Sequence, residues 1–282
     1  MIELFQFGFM QRAFAAATIT GIVCSVIGVY VVLRGMAFMG AGIAHASFGG
    51  VALGFTLGME PFFTTIVFCI LTALGIGLIS EKRQVREDTA VGIFFASTMA
   101  MGVLLIGFIK GYTIDLFGYI FGNILAVTTF DVWSGFILAV IVLLVVMFFY
   151  KEYLFITFDE EMARVTGLPV RTLNFVLLVM MALTVVLSIK IVGIVLVSAL
   201  IVIPPASAYQ LTHNFRTMMI LSVIFGVISS WTGLVFSAFF DLPSGATIVL
   251  TGTALFFITF IFSPKRRMLM QRVNKLGKLG SK

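Results

Sequence analysis

The sequence predicts an all-α fold, a polytopic membrane bundle of about nine transmembrane helices. Three observations predict it. Of 282 residues, 61% are hydrophobic and 11% are charged, whereas soluble domains carry about 25% charged residues. The apolar residues fall in successive runs, and a helix needs about 20 mostly apolar residues to cross a bilayer. The Lys and Arg residues lie between those runs with a strong bias to one side. The expected organisation is one transmembrane domain over 1–264 and a basic tail over 265–282, with no room for a sizeable soluble domain. No cleavable signal peptide is expected, because Met1–Arg12 carries Glu3 and Arg12 and the first run is long enough to span.

The spans follow in order. The runs 13–33 and 36–58 meet at Arg34. The run 61–80 ends at Lys82, Arg83 and Arg86, and 89–109 ends at Lys110. Between Lys110 and Phe130 the apolar part, Leu116–Val127, is too short to cross and reads as a helix lying at or dipping into the interface. The run 131–150 ends at Lys151. The runs 173–189 and 191–211 meet at Lys190, the least defined boundary; if one of this pair is a half-helix, the count is eight. The runs 217–239 and 246–263 complete the series.

Orientation follows from the cations. With the C-terminus cytoplasmic, alternation places Arg34, Lys82, Arg83, Arg86, Lys151, Arg164, Arg171, Arg216 and the seven Lys and Arg of the tail inside. Only Arg12, Lys110 and Lys190 fall outside, so the N-terminus is external. The outer ends carry Glu3, Glu60, Asp115, Asp131 and Asp241. That mildly acidic face would attract cations, although loop carboxylates are also what plain solvation looks like.

Composition excludes several classes. The net charge of +6 is concentrated in the tail and reads as an anchor beside anionic lipid, not as a nucleic-acid surface. Cys24 and Cys69 both lie in apolar runs, where they read as packing residues and not as a disulfide. No G-x-x-x-x-G-K-[ST], H-E-x-x-H, Cys cluster or G-x-S-x-G occurs, so the chain carries no nucleotide-binding loop of its own and no enzyme built on those motifs. Ion-coupled carriers place several ionisable residues inside their spans, and here the span interiors are nearly free of charge.

The clearest exception is His45, in Met36–Gly54. It lies eleven residues beyond Arg34, roughly 16 Å along a helix and near the bilayer midplane. A mid-membrane ionisable group should face a bundle interior or a wet path, and imidazole is a common ligand for borderline metals. A neutral, hydrogen-bonded structural His is an equal alternative on these grounds. Gly42, Ala46, Gly50, Gly54 and Gly58 recur at every fourth position beside it and would let helices approach closely. Met36 and Met39 could offer soft contacts to a metal, but packing is the better reading.

Three further segments stand out. Phe158–Pro169 is the most polar passage before the tail and contains Glu161, Ala163 and Gly167 as E-x-A-x-x-x-G. A short helix kept out of the lipid and ended by glycine gives a soluble partner something to hold. Pro204 and Pro205 inside the seventh run predict a break or kink. Asp241, in Asp241–Ala246, stands at an outer turn, as a path entry or simply as a turn residue.

Taken in order, these pieces resemble the permease subunit of bacterial zinc/manganese/iron ABC importers, the ABC-3 family. The resemblance runs over about 10–265. It is carried by Gly40–Gly54 with His45, by Phe121–Ala126, by Glu161–Pro169, by Val192–Pro204 and by Asp241–Gly245. From Glu161 onward the chain is also similar to the permeases of siderophore and cobalamin importers. The resemblance implies a multi-pass protein of a bacterial plasma membrane that imports divalent metal ions. It implies a second copy of the chain, a separate cytosolic ATP-binding subunit that hydrolyses ATP, and an extracytoplasmic metal-binding protein. It implies that His45 lines the metal path, with Asp241 at its mouth, and that Glu161, Ala163 and Gly167 couple to the ATPase. The family commonly has an Asp one turn before the path His; here that position is Ala41. Import of a metal chelate and ion-coupled secondary transport remain the alternatives.

Overall fold

The computed structural model describes residues 7–81, 85–109, 116–123 and 126–264. Glu3, Lys82, Arg83, Lys110, Asp115 and the tail 265–282 lie outside the described residues, as do Ile124 and Leu125. The helices are α1 (Gly8–Leu33), α2 (Ala37–Leu57), α3 (Pro61–Glu81), α4 (Glu87–Gly107), α5 (Leu116–Phe121), α6 (Thr129–Phe148), α7 (Tyr150–Phe158), α8 (Glu160–Val165), α9 (Val170–Val192), α10 (Ile194–Leu211), α11 (Phe215–Phe240) and α12 (Ser244–Ile261). Among the described residues, nine are long and apolar enough to cross a membrane: α1 to α4, α6 and α9 to α12. The expected count of nine holds, and the boundary near Lys190 resolves as a turn at Gly193 between two full helices.

Most of α1, α2 and α9 is buried, whereas α4 and α6 are largely exposed. The inner helix α1 packs on α10 and α11 on one side and on α6 and α9 on another. Helix α2 sits between α3 and α4 and also meets α9 and α10. Large apolar side chains such as Leu71, Leu104, Leu144 and Leu250 remain exposed on the outer helices. A lipid-facing surface tolerates this, because hydrocarbon tails are as apolar as Leu.

Small residues set the close crossings. A methyl group on Gly50 would lie 2.7 Å from the Thr65 Cα of α3, and one on Gly54 2.7 Å from the Pro61 Cα. Thr64 Oγ1 donates to the Gly50 carbonyl oxygen at 3.0 Å across the same crossing. Gly58, the last of the predicted stripe, does not pack. It caps α2 in a left-handed conformation (φ 66°) with open space around it.

Two expectations change. Helix α10 runs unbroken through Pro204 and Pro205. Pro205 has no N–H to offer the Ile201 carbonyl one turn back, and that carbonyl lies against the Cα of Gly28 on α1, where any side chain would overlap it. Close packing of α1 thus takes up the place of the lost donor, and the helix continues. The interfacial segment is also shorter than Leu116–Val127. Helix α5 ends at Phe121, because Gly122 turns the chain at φ 81°.

That turn belongs to a junction at the end of the bundle opposite Arg34. The backbones of Gly122, Gly193 and Gly245 meet there. A methyl group on Gly193 (φ 89°) would lie 2.5 Å from the Gly122 nitrogen, and one on Gly245 2.5 Å from the Phe121 carbonyl oxygen. Asn123 N–H donates to the Lys190 carbonyl at 3.2 Å, and Ser244 Oγ to the Ile191 carbonyl at 3.0 Å. Three segments that carried the sequence resemblance therefore converge on one point.

Candidate functional site

His45 is half-buried in the ninth position of α2. Its Nδ1 lies 3.0 Å from the Ala41 carbonyl oxygen, and its ring is 4.5 Å from the Phe95 ring of α4. A carbonyl oxygen only accepts, so Nδ1 donates the hydrogen, and Nε2 is the ring nitrogen that the backbone does not engage. Holding one imidazole nitrogen by a backbone carbonyl is how proteins orient a metal-ligating His. The ring is less enclosed than the sequence suggested: the glycines seal α2 against α3 and α4, while Phe38, Ala41 and His45 stay at least partly open.

Asp241 does not join it. It caps α11 in a left-handed conformation (φ 52°) and is exposed. The helix that it caps packs on α1, α10 and α12. The turn is held by Ser237 Oγ, which donates to the Leu242 carbonyl at 2.6 Å. Among the described residues no group of three or more His, Cys, Asp or Glu side chains could hold a metal within one chain.

The polar passage folds as α8 at the Arg34 end of the bundle. Asp159 caps it, accepting from Met162 N–H at 2.9 Å. Its C-terminus closes as a Schellman turn: Leu168 N–H bonds the Ala163 carbonyl and Gly167 N–H the Arg164 carbonyl, both at 3.1 Å. Gly167 takes φ 85°, and a methyl group on it would meet nothing within 4 Å. Ala163 is fully buried, while Glu161, Met162 and Val165 point outward, Val165 at 82% exposure. Sequence reasoning singled out Glu161, Ala163 and Gly167 and missed Met162 and Val165. Their spacing of three on a short helix, with Ala163 on the other side, was the available signal.

Arg34, in the three-residue link between α1 and α2, was also missed. Its Nη2 donates to Asn174 Oδ1 of α9 at 2.9 Å and lies 3.6 Å from Glu160 Oε2 of α8. Burial draws the guanidinium below its ordinary pKa range, and the carboxylates of Glu160 and Glu87 and the Tyr153 phenol pull the other way. At the opposite end Lys190 Nζ bonds Asp131 Oδ1 at 2.7 Å, and Asp131 also closes a capping box with Thr128 at the start of α6.

A model of the ABC 3 transport family matches residues 6–263. The manganese transport system membrane protein MntC of Listeria innocua is 43% identical over 269 residues, 95% of this chain and 96% of that protein. The manganese import system permease protein ScaB of Streptococcus gordonii is 37% identical over 270 residues, 96% of this chain and 97% of that protein. Among solved structures, PsaBC from Streptococcus pneumoniae in complex with Fab is similar with a TM-score of 0.87 and 38% identity, covering 96% of this chain and all of that one.

Proposed function

This chain belongs to the ABC 3 transport family, and from that premise we propose that it is the permease subunit of an ATP-driven importer of divalent transition-metal ions, manganese first among them. The observation that carries the reading is its end-to-end similarity to permeases named for manganese transport. Residues 1–264 form the permease domain in a bacterial plasma membrane. The Arg34 end and the tail face the cytoplasm, in keeping with the distribution of Lys and Arg.

Two copies of the chain enclose the path, each presenting the Nε2 of one His45. A single imidazole without a carboxylate at Ala41 binds a divalent ion weakly, which suits a conduit that must also release it. Asp241 stands at the outer mouth, where a metal-binding protein delivers the ion. A separate cytosolic subunit binds and hydrolyses ATP, and it grips α8 through Glu161, Met162 and Val165. Exposed apolar groups beside a charged rim are the usual anatomy of a protein contact.

The test is uptake of radiolabelled manganese into vesicles holding the chain and its ATP-binding subunit, with the metal-binding protein present on the delivery side. ATP-dependent uptake, competed by zinc or iron, is expected. Uptake driven by an ion gradient without ATP would reject the proposal in favour of a secondary carrier.

A further inference from the structure

We infer that Arg34 is the positioning residue through which movement of α8 reaches the helix that carries His45. The inference rests on the proposed function and concerns a residue that the sequence alone does not single out.

Four ion pairs occur among the described residues, and only Arg34–Glu160 ties α8 to another part of the bundle. Arg164 pairs with Glu160 inside α8 itself, Arg171 joins α9 to α3, and Lys190 joins α9 to α6. The Arg34 side chain is 11% exposed, against 61% for Arg164 and 68% for Arg171. Solvent and salt therefore screen the Arg34 charge least among these arginines. The guanidinium also holds Asn174 of α9, and its Nη1 is buried without a partner among the described residues. Arg34 therefore depends on few contacts; Glu160 is the charged group within ion-pair distance, and Glu87 acts on it from farther off.

The geometry suits transmission. At 3.6 Å the Glu160 contact is an ion pair and not a hydrogen bond, so its attraction keeps acting over a range of separations and orientations as α8 moves. The Asn174 contact, at 2.9 Å, is a true hydrogen bond and fixes the other side of the fork. Backbone bonds from Arg34, Gly35 and Met36 to Tyr30, Val32 and Val31 brace the link on α1, and α2 begins directly after Met36. From Ala37 to His45 is about 12 Å of continuous helix, stiff enough to carry a tilt. A displacement of α8 pulls on Glu160, then on Arg34, then on the base of α2.

The experiment compares manganese transported per ATP hydrolysed in vesicles holding the complete complex. The variants are Arg34→Met, Arg34→Lys, Glu160→Gln and the double variant Arg34→Met/Glu160→Gln. Each of Arg34→Met and Glu160→Gln is expected to lower the ratio about tenfold, and the double variant no further, because the two residues act as one link. Arg34→Lys keeps the charge and should recover part of the ratio. Purified yield and ATP-binding subunit content show that a variant is assembled; Glu160→Gln, at a half-exposed site, keeps the test available if Arg34→Met does not fold. An unchanged ratio in assembled Glu160→Gln, or losses that multiply in the double variant, overturns the inference. If the parent complex itself shows no ATP-dependent manganese uptake, the failure belongs to the proposed function and not to Arg34.

Discussion

The Ala41 carbonyl oxygen and the His45 Nδ1 lie 3.0 Å apart, one turn from each other on α2. The resemblance implies an acid at the position of Ala41, and here the Ala41 carbonyl and the Phe95 ring hold the imidazole instead. Nε2 is the ring nitrogen left to meet an ion.

His45→Gln separates a ligand from a spacer. Gln can still donate to the Ala41 carbonyl but is a poor metal ligand. Manganese uptake should fall at least about tenfold, with the amount of protein in the membrane and its ATP-binding subunit unchanged. Uptake equal to the parent would make His45 a structural hydrogen-bonder.

Gly167→Leu tests the turn after α8. No atom blocks the new side chain, so the effect is conformational: a left-handed backbone costs a residue with a Cβ about 1 to 2 kcal/mol. The permease should still insert at normal yield, while capture of the ATP-binding subunit weakens. Gly167→Asn, which accepts this conformation more readily, should lie between the two. Full capture by the Leu variant would contradict the assignment.

Val165→Ser addresses the outward face of α8. At 82% exposure, the side chain contributes little to the folded chain, and the melting temperature should not move, as for other surface changes of about 0.5 kcal/mol or less. A loss of affinity for the ATP-binding subunit, read by titration in detergent, is expected. Unaltered affinity would place the contact elsewhere on α8.

Gly50→Leu tests the α2–α3 crossing. The added atoms collide with the Thr65 backbone and the Phe68 side chain, and overpacking of this kind costs about 1 to 3 kcal/mol or more. The variant should melt lower in detergent and lose uptake. A melting temperature equal to that of the parent would mean that this face of α2 does not pack as described.

The spans were legible because length, apolarity and the cations between runs are local properties. Nine spans follow from them, and the nine spanning helices among the described residues match, with ends shifted by a few residues at most caps. The outcome at Pro204 and Pro205 was not legible, since it depends on Gly28 arriving from α1. The extent of α5 depended likewise on partners distant in sequence. At the candidate site, His45 and the α8 glycine stood out as exceptions to their surroundings. Arg34 did not: an Arg at the end of an apolar run looks like any interfacial anchor until Glu160 and Asn174 are seen beside it. Met162 and Val165 were hidden for the opposite reason, being ordinary apolar residues whose exposure only the fold reveals.

The three-glycine junction also fixes an order of events in biosynthesis. Gly122 and Gly193 leave the ribosome well before Gly245, and the Val192 carbonyl that Gly245 packs against must wait for it. Until the start of α12 is threaded, α5 and the α9–α10 turn meet without their third member, and Ser244 has not yet bonded the Ile191 carbonyl. The nascent chain therefore passes through a state in which this end of the bundle is incompletely packed. Truncation just before Asp241 should trap that state and mark it for proteolysis, and extension through Ile261, the end of α12, should release it.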